Sequence, residues 1–407
     1  MPDRNASPLR IGIDATTVGI RDVQRGGVYQ YVWQVLARLA ARGHDLRLLF
    51  ALPHPRHRAS IRERVTELPG RVWPVRTPLP ERWLRRSRLP VELFVGRVDV
   101  FHAPAHLNLA SLRVPTVVTV HDLAFLACLA DAGPRNPADA DADSAEARHR
   151  AATRQRFFSE LRRQTERSLA TAARIITVSE ATRSELLRHF AIAPDKVRVV
   201  HLGVRAGMRP VADGPPRRAL CRRLGIDAPF WLYVGVLDPN KNLATVLEAY
   251  AHYRRRGGRR LLVLAGHDDF HGTSLRALAE RLGVGAQVRF PGFVDDADLP
   301  GLYSAATAVL MPSPHEGFGI PAIEAMACGT PVIAAAARAL PEVVGAAGLL
   351  VDPCSAQAFA TAFAQLDDDP ALVARLCVAG MERAKSFDWE RTVDATLAVY
   401  REAARAS

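Results

Sequence analysis

The chain has 407 residues, 48% hydrophobic and 24% charged, which is enough for two or three domains with cores of their own and rules out a disordered chain. Its 54 Lys and Arg outnumber 42 Asp and Glu for a net charge of +12, a balance that favours anionic ligands or anionic lipid, while no recognition motif or interleaved aromatic platform points to nucleic acid. Five scattered cysteines (Cys128, Cys221, Cys328, Cys354, Cys377) form no C-x-x-C pair and read as reduced thiols, and no apolar run marks a targeting segment or a membrane span, so a cytoplasmic location is expected.

Leu9 to Asp14 reads as a first strand, Val28 to Arg42 as a helix with apolar residues at helical spacing, and Asp45 to Ala51 as a second strand, the opening of a βαβ unit. Further short strands are predicted at Val98 to His102, Thr116 to Val120, Arg174 to Val178 and Val197 to His201, and the acidic run Asp139-Ala140-Asp141-Ala142-Asp143 reads as a loop. Gly207, Pro210, Gly214, Pro215 and Pro216 mark a linker over residues 206–218. The alternation then restarts with Phe230 to Val234, a helix from about Leu243, Arg260 to Ala265, a helix through Leu275 to Leu282, Val288 to Pro291, Ala308 to Met311 and Pro331 to Ala335. Such alternation implies two doubly wound domains, 1–205 and 219–385, each with a mostly parallel sheet covered on both faces. Ligands of such sheets bind beyond the carboxyl ends of the strands, so a cleft between the two domains is the expected site.

Three segments carry chemistry. In His315-Glu316-Gly317-Phe318-Gly319-Ile320-Pro321-Ala322-Ile323-Glu324, two carboxylates with seven residues between them flank a glycine-rich turn that opens a helix near Pro321. The amides of Gly319, Ile320 and Ala322 are candidate donors to phosphate at the helix start, and an ionised carboxylate on either side suits a ribose diol (Glu324) and a sugar (Glu316). In Tyr233-Val234-Gly235-Val236-Leu237-Asp238-Pro239-Asn240-Lys241, a strand end leads to one of only three lysines in the chain, the others being Lys196 and Lys385. A compact ammonium here can serve a diphosphate leaving group in place of a metal. Val118-Thr119-Val120-His121-Asp122 and Phe101-His102-Ala103-Pro104 each put a histidine at a strand end, with His102 expected on the acceptor side. His102 and His106 have the spacing of a helical metal pair, but Pro104 between them argues against that helix, and no metal is assigned. Arg25-Gly26-Gly27-Val28 opens the first long helix and by itself reads as a turn; there is no G-x-G-x-x-G for a dinucleotide.

The run from Pro291-Gly292-Phe293-Val294 through Tyr303-Ser304-Ala305-Ala306, the Glu316 to Glu324 segment, Ala325-Met326-Ala327-Cys328-Gly329-Thr330-Pro331-Val332-Ile333, and Leu340-Pro341-Glu342-Val343-Val344 followed by Gly348-Leu349-Leu350-Val351-Asp352-Pro353 closely resemble the retaining glycosyltransferases called group 1 or family 4. Weaker similarity covers the N-terminal half, with a gap around 129–165. The resemblance implies a GT-B fold, with the donor nucleotide held by the C-terminal domain, the acceptor by the N-terminal one, and a last helix, residues 386–407, returning to the N-terminal domain. It also implies that Gly26 and Gly27 pack against the donor diphosphate, that His121 contacts the transferred sugar, and that Gly235, Lys241, Phe318, Gly319, Ile320 and Glu324 hold the nucleotide sugar, with Glu316, His121 and Lys241 catalytic. Where the resembled pattern has an arginine soon after the glycine this chain has Val236, and Asn240 stands where a second basic residue is common.

The reaction so implied is transfer of a sugar, mannose from GDP-mannose first and a UDP-sugar second, to a hydroxyl of a glycan or lipid-linked acceptor in cell-surface polysaccharide synthesis. No cofactor besides the donor substrate is expected. The arginine-rich stretches Trp83-Leu84-Arg85-Arg86-Ser87-Arg88 and Arg148 to Arg167 fit either solvated helix faces or peripheral contact with anionic membrane. A glycoside hydrolase would also need two carboxylates but has no use for a diphosphate turn between them. A nucleotide-sugar epimerase of the same architecture is the other enzymatic reading.

Overall fold

Strand and helix alternation is realised as two separate sheets in a computed structural model, which describes residues 7–19, 26–51, 58–78, 83–84, 89–105, 109–130, 145–267 and 272–406. The chain divides into two compact units, one of Met1–Leu129, Gln155–Gly203 and Asp388–Ser407, the other of Ala130–Arg154 and Val204–Phe387.

The first unit carries strands β1 (Arg10–Asp14), β2 (Asp45–Phe50), β3 (Val72–Arg76), β4 (Val100–Ala103), β5 (Thr116–Val120), β6 (Arg174–Thr177) and β7 (Val197–Val199). They form one seven-stranded sheet in the order β3-β2-β1-β4-β5-β6-β7, with every pairing parallel. All residues of β4 and β5 are buried, as both-face coverage by helices requires. Helix α1 (Gly27–Ala41) turns Val32, Val35, Leu36 and Leu39 inward at helical spacing. Helix α2 (Ala145–Thr171), which belongs to this unit from Gln155 on, runs through much of the stretch where the resemblance lapses, and α3 (Glu180–His189) starts at Ser179, whose hydroxyl accepts from the Thr182 amide at 3.1 Å. Strand β3 has no counterpart in the sequence reading. It is an edge strand, Val-Trp-Pro-Val-Arg, with Pro74 inside it and Trp73 half exposed, so neither alternation nor a long apolar run announces it.

The second unit carries β8 (Phe230–Val234), β9 (Leu261–Ala265), β10 (Val288–Gly292), β11 (Ala308–Met311), β12 (Val332–Ala335) and β13 (Leu349–Val351), in the parallel order β10-β9-β8-β11-β12-β13. Strand β13 is again an edge strand that the sequence reading lacked, only three residues long. Helices α4 (Pro215–Arg223), α5 (Leu243–Arg255), α6 (Gly272–Arg281), α7 (Leu299–Ala305), α8 (Ile320–Ala327), α9 (Leu340–Val344), α10 (Ala356–Asp368) and α11 (Pro370–Ala384) complete the unit. Residues 215–218 of the expected linker are therefore the first turn of α4, where Pro215 and Pro216 sit at helix-opening positions that need no N–H donor. The largest core piece is Trp231 of β8, stacked on Phe363 of α10 with ring centroids 4.9 Å apart and edge-on to Tyr253 of α5. Burying such rings supplies the apolar area that holds α5 and α10 on the sheet.

Helix α12 (Trp389–Arg405) follows and belongs to the first unit. Asp388 caps it by accepting from the Glu390 amide, Thr392 donates to the carbonyl of His201, and Arg42 at the end of α1 bonds Glu390 and Asp394. At the junctions, Val204 donates to the carbonyl of Phe387 at 3.0 Å, so the two ends of the Val204–Phe387 segment of the second unit lie side by side.

Candidate functional site

In the second sheet the chain reverses its direction of strand addition between β8 and β11, and the loops leaving the carboxyl ends of two such neighbours frame a crevice. The β8 loop carries Gly235 to Lys241; the β11 loop carries Pro312 to Gly319. Gly235 donates to the carbonyl of Ala265, and a Cβ on Gly266 would stand 1.7 Å from the carbonyl oxygen of Gly235, so the strand ends approach more closely than any side chain allows. Asp238 caps a short turn over Pro239–Lys241 by accepting from the Asn240 amide at 2.7 Å. Asn242 follows in the left-handed conformation and donates to the carbonyls of Pro312 and Pro353 at 3.1 and 2.8 Å, fastening this loop to its neighbours. The outcome is an ion pair: Lys241 Nζ lies 2.6 Å from Glu316 Oε1, with 33% and 17% of the two side chains exposed. Tyr233 lies close by, its hydroxyl donating to the Val236 carbonyl at 2.9 Å; burial and the charges of Glu316 and Asp238 raise its pKa well above the usual phenol range, so it stays neutral. Val236 itself is 40% exposed, an apolar side chain on a charged rim.

The turn into α8 is glycine-dependent. Gly319 has φ of 97°, a left-handed value, and a Cβ there would meet Leu340 at 2.8 Å. Ala322, named above as a donor, spends its N–H on the carbonyl of Gly319 at 2.9 Å. Gly319 and Ile320 remain as the amides at the helix start, where no intrahelical carbonyl precedes them. Phe318, expected among the residues that hold the nucleotide sugar, has a buried side chain that meets Phe387 edge-on at 5.5 Å.

Glu324 departs furthest from the sequence reading. Helix α8 buries Ala322, Ile323, Glu324, Ala325 and Met326 alike, and Glu324 is 1% exposed. Its Oε1 accepts from Arg205 Nε at 3.0 Å and its Oε2 from the Tyr303 hydroxyl at 3.0 Å. Arg205 also pairs with Asp296. Burial pushes the Glu324 carboxyl up, while the Arg205 charge and the Tyr303 hydrogen bond act the other way; burial opposes the Arg205 charge, but Glu324 and Asp296 raise its basicity. Two donors aimed at two oxygens suit the carboxylate form. In this structure Glu324 is an internal anchor of α8, with both oxygens engaged by protein donors. Tyr303 stood in the sequence match without a role, and no spacing signal marks Arg205.

In the first unit the corresponding reversal lies between β1 and β4. Gly26 precedes α1 in an extended conformation and Gly27 begins it, as expected; Arg25 lies outside the described residues. His121 follows β5, and its Nε2 donates to the carbonyl of Pro104 at 2.9 Å, which fixes the tautomer and leaves Nδ1 as the acceptor. Burial lowers its basicity, so it is neutral, and the Tyr31 ring of α1 packs edge-on against it at 4.8 Å. His102 is not on an acceptor surface. It is fully buried between Tyr400 and Thr119, its Nδ1 2.7 Å from the Tyr400 hydroxyl and its Nε2 2.8 Å from Thr119 Oγ1, and burial takes its pKa down to about 3. Tyr31 bonds the same Thr119 oxygen at 3.0 Å. His106, Arg85 to Arg88 and Asp139 to Asp143 lie outside the described residues. Among the described residues no group of three or more His, Cys, Asp or Glu could hold a metal ion, and no helix is long and apolar enough to cross a membrane.

Two parallel doubly wound sheets, the second with a Lys–Glu ion pair on the loops at its reversal point, define a two-domain α/β protein of the GT-B type. The family model described as glycosyl transferases group 1 matches residues 222–383, and that described as glycosyltransferase family 4 matches residues 25–206. A D-inositol 3-phosphate glycosyltransferase of Saccharomonospora viridis is 32% identical over 411 residues, covering 93% of this chain and 89% of that one. The O-antigen chain mannosyltransferase B of Escherichia coli is 34% identical over 235 residues, covering 58% of this chain and 62% of that one, so this match spans less than two thirds of the relative. Sucrose-phosphate synthase from Thermosynechococcus elongatus shares the fold with a TM-score of 0.71 at 26% identity, over 98% of this chain and 100% of that one. The chain belongs to glycosyltransferase family 4, the glycosyl transferases group 1.

Proposed function

We propose that this chain is a retaining glycosyltransferase that moves a sugar, mannose from GDP-mannose first, from a nucleotide diphosphate sugar to a hydroxyl of a glycan or lipid-linked acceptor in cell-surface polysaccharide synthesis. The observation that carries the reading is the Lys241–Glu316 pair on the two loops at the reversal point, beside the glycine turn of α8. In the reaction the bond from the anomeric carbon to the phosphate oxygen breaks, and its electron pair leaves with the diphosphate. The acceptor oxygen bonds to the same face of that carbon, and its proton leaves with the diphosphate. Negative charge grows where the Lys241 ammonium and the Gly319 and Ile320 amides stand, so preorganised positive charge lowers the barrier without a metal. Glu316 shares its ammonium with the arriving diphosphate, orients sugar hydroxyls and stabilises positive charge on the sugar. His121 offers Nδ1 to a sugar hydroxyl, a role open to a neutral imidazole alone.

Mannose is supported by the name of the Escherichia coli relative, an O-antigen chain mannosyltransferase. The basic composition supports work on acceptors carried at an anionic membrane from the cytoplasmic side. The test is a panel of GDP-, UDP- and ADP-sugars scored for binding and for nucleoside diphosphate release with a mannosylated lipid acceptor. GDP release from GDP-mannose with retained anomeric configuration is the expected result. Release of UDP alone would move the donor to a UDP-sugar, and stereochemical change of a donor without acceptor would make the protein an epimerase.

A further inference from the structure

The Arg205–Glu324–Tyr303–Asp296 cluster takes no part in the chemistry just described, yet its Arg205–Glu324 pair is well buried, with 17% and 2% of the two side chains exposed. Arg205 is the second residue of the Val204–Phe387 segment of the second unit. Its guanidinium spans two partners, Nε to Glu324 on α8 and a terminal nitrogen to Asp296 on the loop after β10. Tyr303 of α7 closes the other side of Glu324. The α8 turn is also clamped from the far end of the unit, where Phe387 packs against Phe318 and accepts from Val204, the neighbour of Arg205. The glycine turn is thus gripped before its helix by Phe318 and one turn into its helix by Glu324. Both grips end on residues at the two ends of the Val204–Phe387 segment.

We propose that Arg205 is a positioning residue for diphosphate binding: by holding Glu324 it fixes α8 and so the direction of the Gly319 and Ile320 amides. This rests on the donor reading above, in which those amides meet the diphosphate. A planar fork suits the task because it binds two acidic groups on different elements at once in a fixed geometry, which an ammonium, a compact point charge on a flexible stem, does not impose. The titratable and charged groups facing Glu324 are Arg205, Tyr303, Asp296 and Cys328; burial holds Tyr303 and Cys328 protonated, the latter with a pKa of about 12. Without Arg205, Glu324 keeps its burial and loses its counter-charge, so its folded pKa rises further above the unfolded value. Stability is then lost as pH rises above the ordinary carboxylate range.

The experiment compares wild type with Arg205→Met, Arg205→Lys, Glu324→Gln and the Arg205→Met/Glu324→Gln pair, using two readouts. The first is the thermal midpoint between pH 5 and pH 8, which needs no donor. The deficit of Arg205→Met is expected to grow with pH and to stop growing in the Glu324→Gln background; a deficit that ignores pH overturns the link to Glu324. The second is binding of inorganic pyrophosphate and GDP to the folded proteins at pH 6, expected to weaken roughly ten- to hundredfold in Arg205→Met. Arg205→Lys, which keeps charge but not the fork, is expected to recover most of the wild-type stability profile and only part of the binding. Unchanged pyrophosphate binding in Arg205→Met would leave the cluster a purely structural clasp and end the proposal. Wild-type protein that binds neither pyrophosphate nor GDP would instead remove the donor reading itself.

Discussion

Two glutamates of one short segment meet opposite fates in the second unit. Glu316 sits on a loop at the rim, partly exposed, with a single ammonium 2.6 Å away. Glu324, eight positions on in a buried helix, gives both oxygens to protein donors. The residue type and even the spacing are shared, and the solvent is not. A rim carboxylate can trade its partner for a ligand because water stabilises it during the exchange; a buried one cannot release its partners without the full cost of an unpaired charge. The proposed chemistry therefore draws on Glu316, while Glu324 anchors its helix.

That contrast can be broken in several ways. Glu316→Gln should lower turnover roughly 10²- to 10³-fold in steady-state sugar transfer while binding of the bare nucleoside diphosphate stays near wild type; wild-type turnover would take Glu316 out of the chemistry. Glu324→Ala should cost about 3 kcal/mol in urea unfolding, because it strips a buried pair, whereas Glu316→Ala should cost less than about 1 kcal/mol. Equal costs would erase the distinction between rim and interior. Lys241→Ala should weaken nucleoside diphosphate binding roughly ten- to hundredfold with little effect on the nucleoside, as calorimetric titration of each would reveal. Gly319→Ala should cost about 1–2 kcal/mol and misdirect the turn, since it forces a side chain into a left-handed backbone against Leu340; an unaltered melting curve would argue against the turn as drawn.

The first unit supplies the mildest test, again through paired residues of one kind. His102 is buried and pushed down to about 3, so the folded protein resists protonating it while the unfolded chain accepts a proton near 6.5. Its contribution to stability is whole above about pH 6.5 and declines as pH falls toward 3, by up to roughly 1.4 kcal/mol per pH unit. His102→Gln should flatten that part of the pH profile relative to wild type, read as the difference between two thermal midpoints. His121, neutral by burial, should leave turnover insensitive to acid across the ordinary histidine range.

Most strands and the principal helices were legible because their apolar residues recur with the period of the element: Val32, Val35, Leu36 and Leu39 in α1, the continuous apolar run of β9. The missing pieces were β3 and β13, edge strands that lack a second buried face and with it the pattern that betrays inner strands. The glycine turn and its two carboxylates were legible as well, since a left-handed backbone before a proline-bearing helix needs glycine. Burial was not. Phe318, His102 and Glu324 each bear a chemically suggestive side chain, and each is spent inside the fold.

The order of residues by itself determined two alternating α/β units, a lysine at one strand end and a carboxylate-flanked turn at another, because periodicity and backbone conformation are local properties. Only the tertiary structure decided which charges meet: Lys241 with Glu316, and Arg205 with Glu324 across more than a hundred positions of chain. Pairing energy depends on distance and on exclusion of water, and both arise when sheet order brings together loops that the chain keeps far apart.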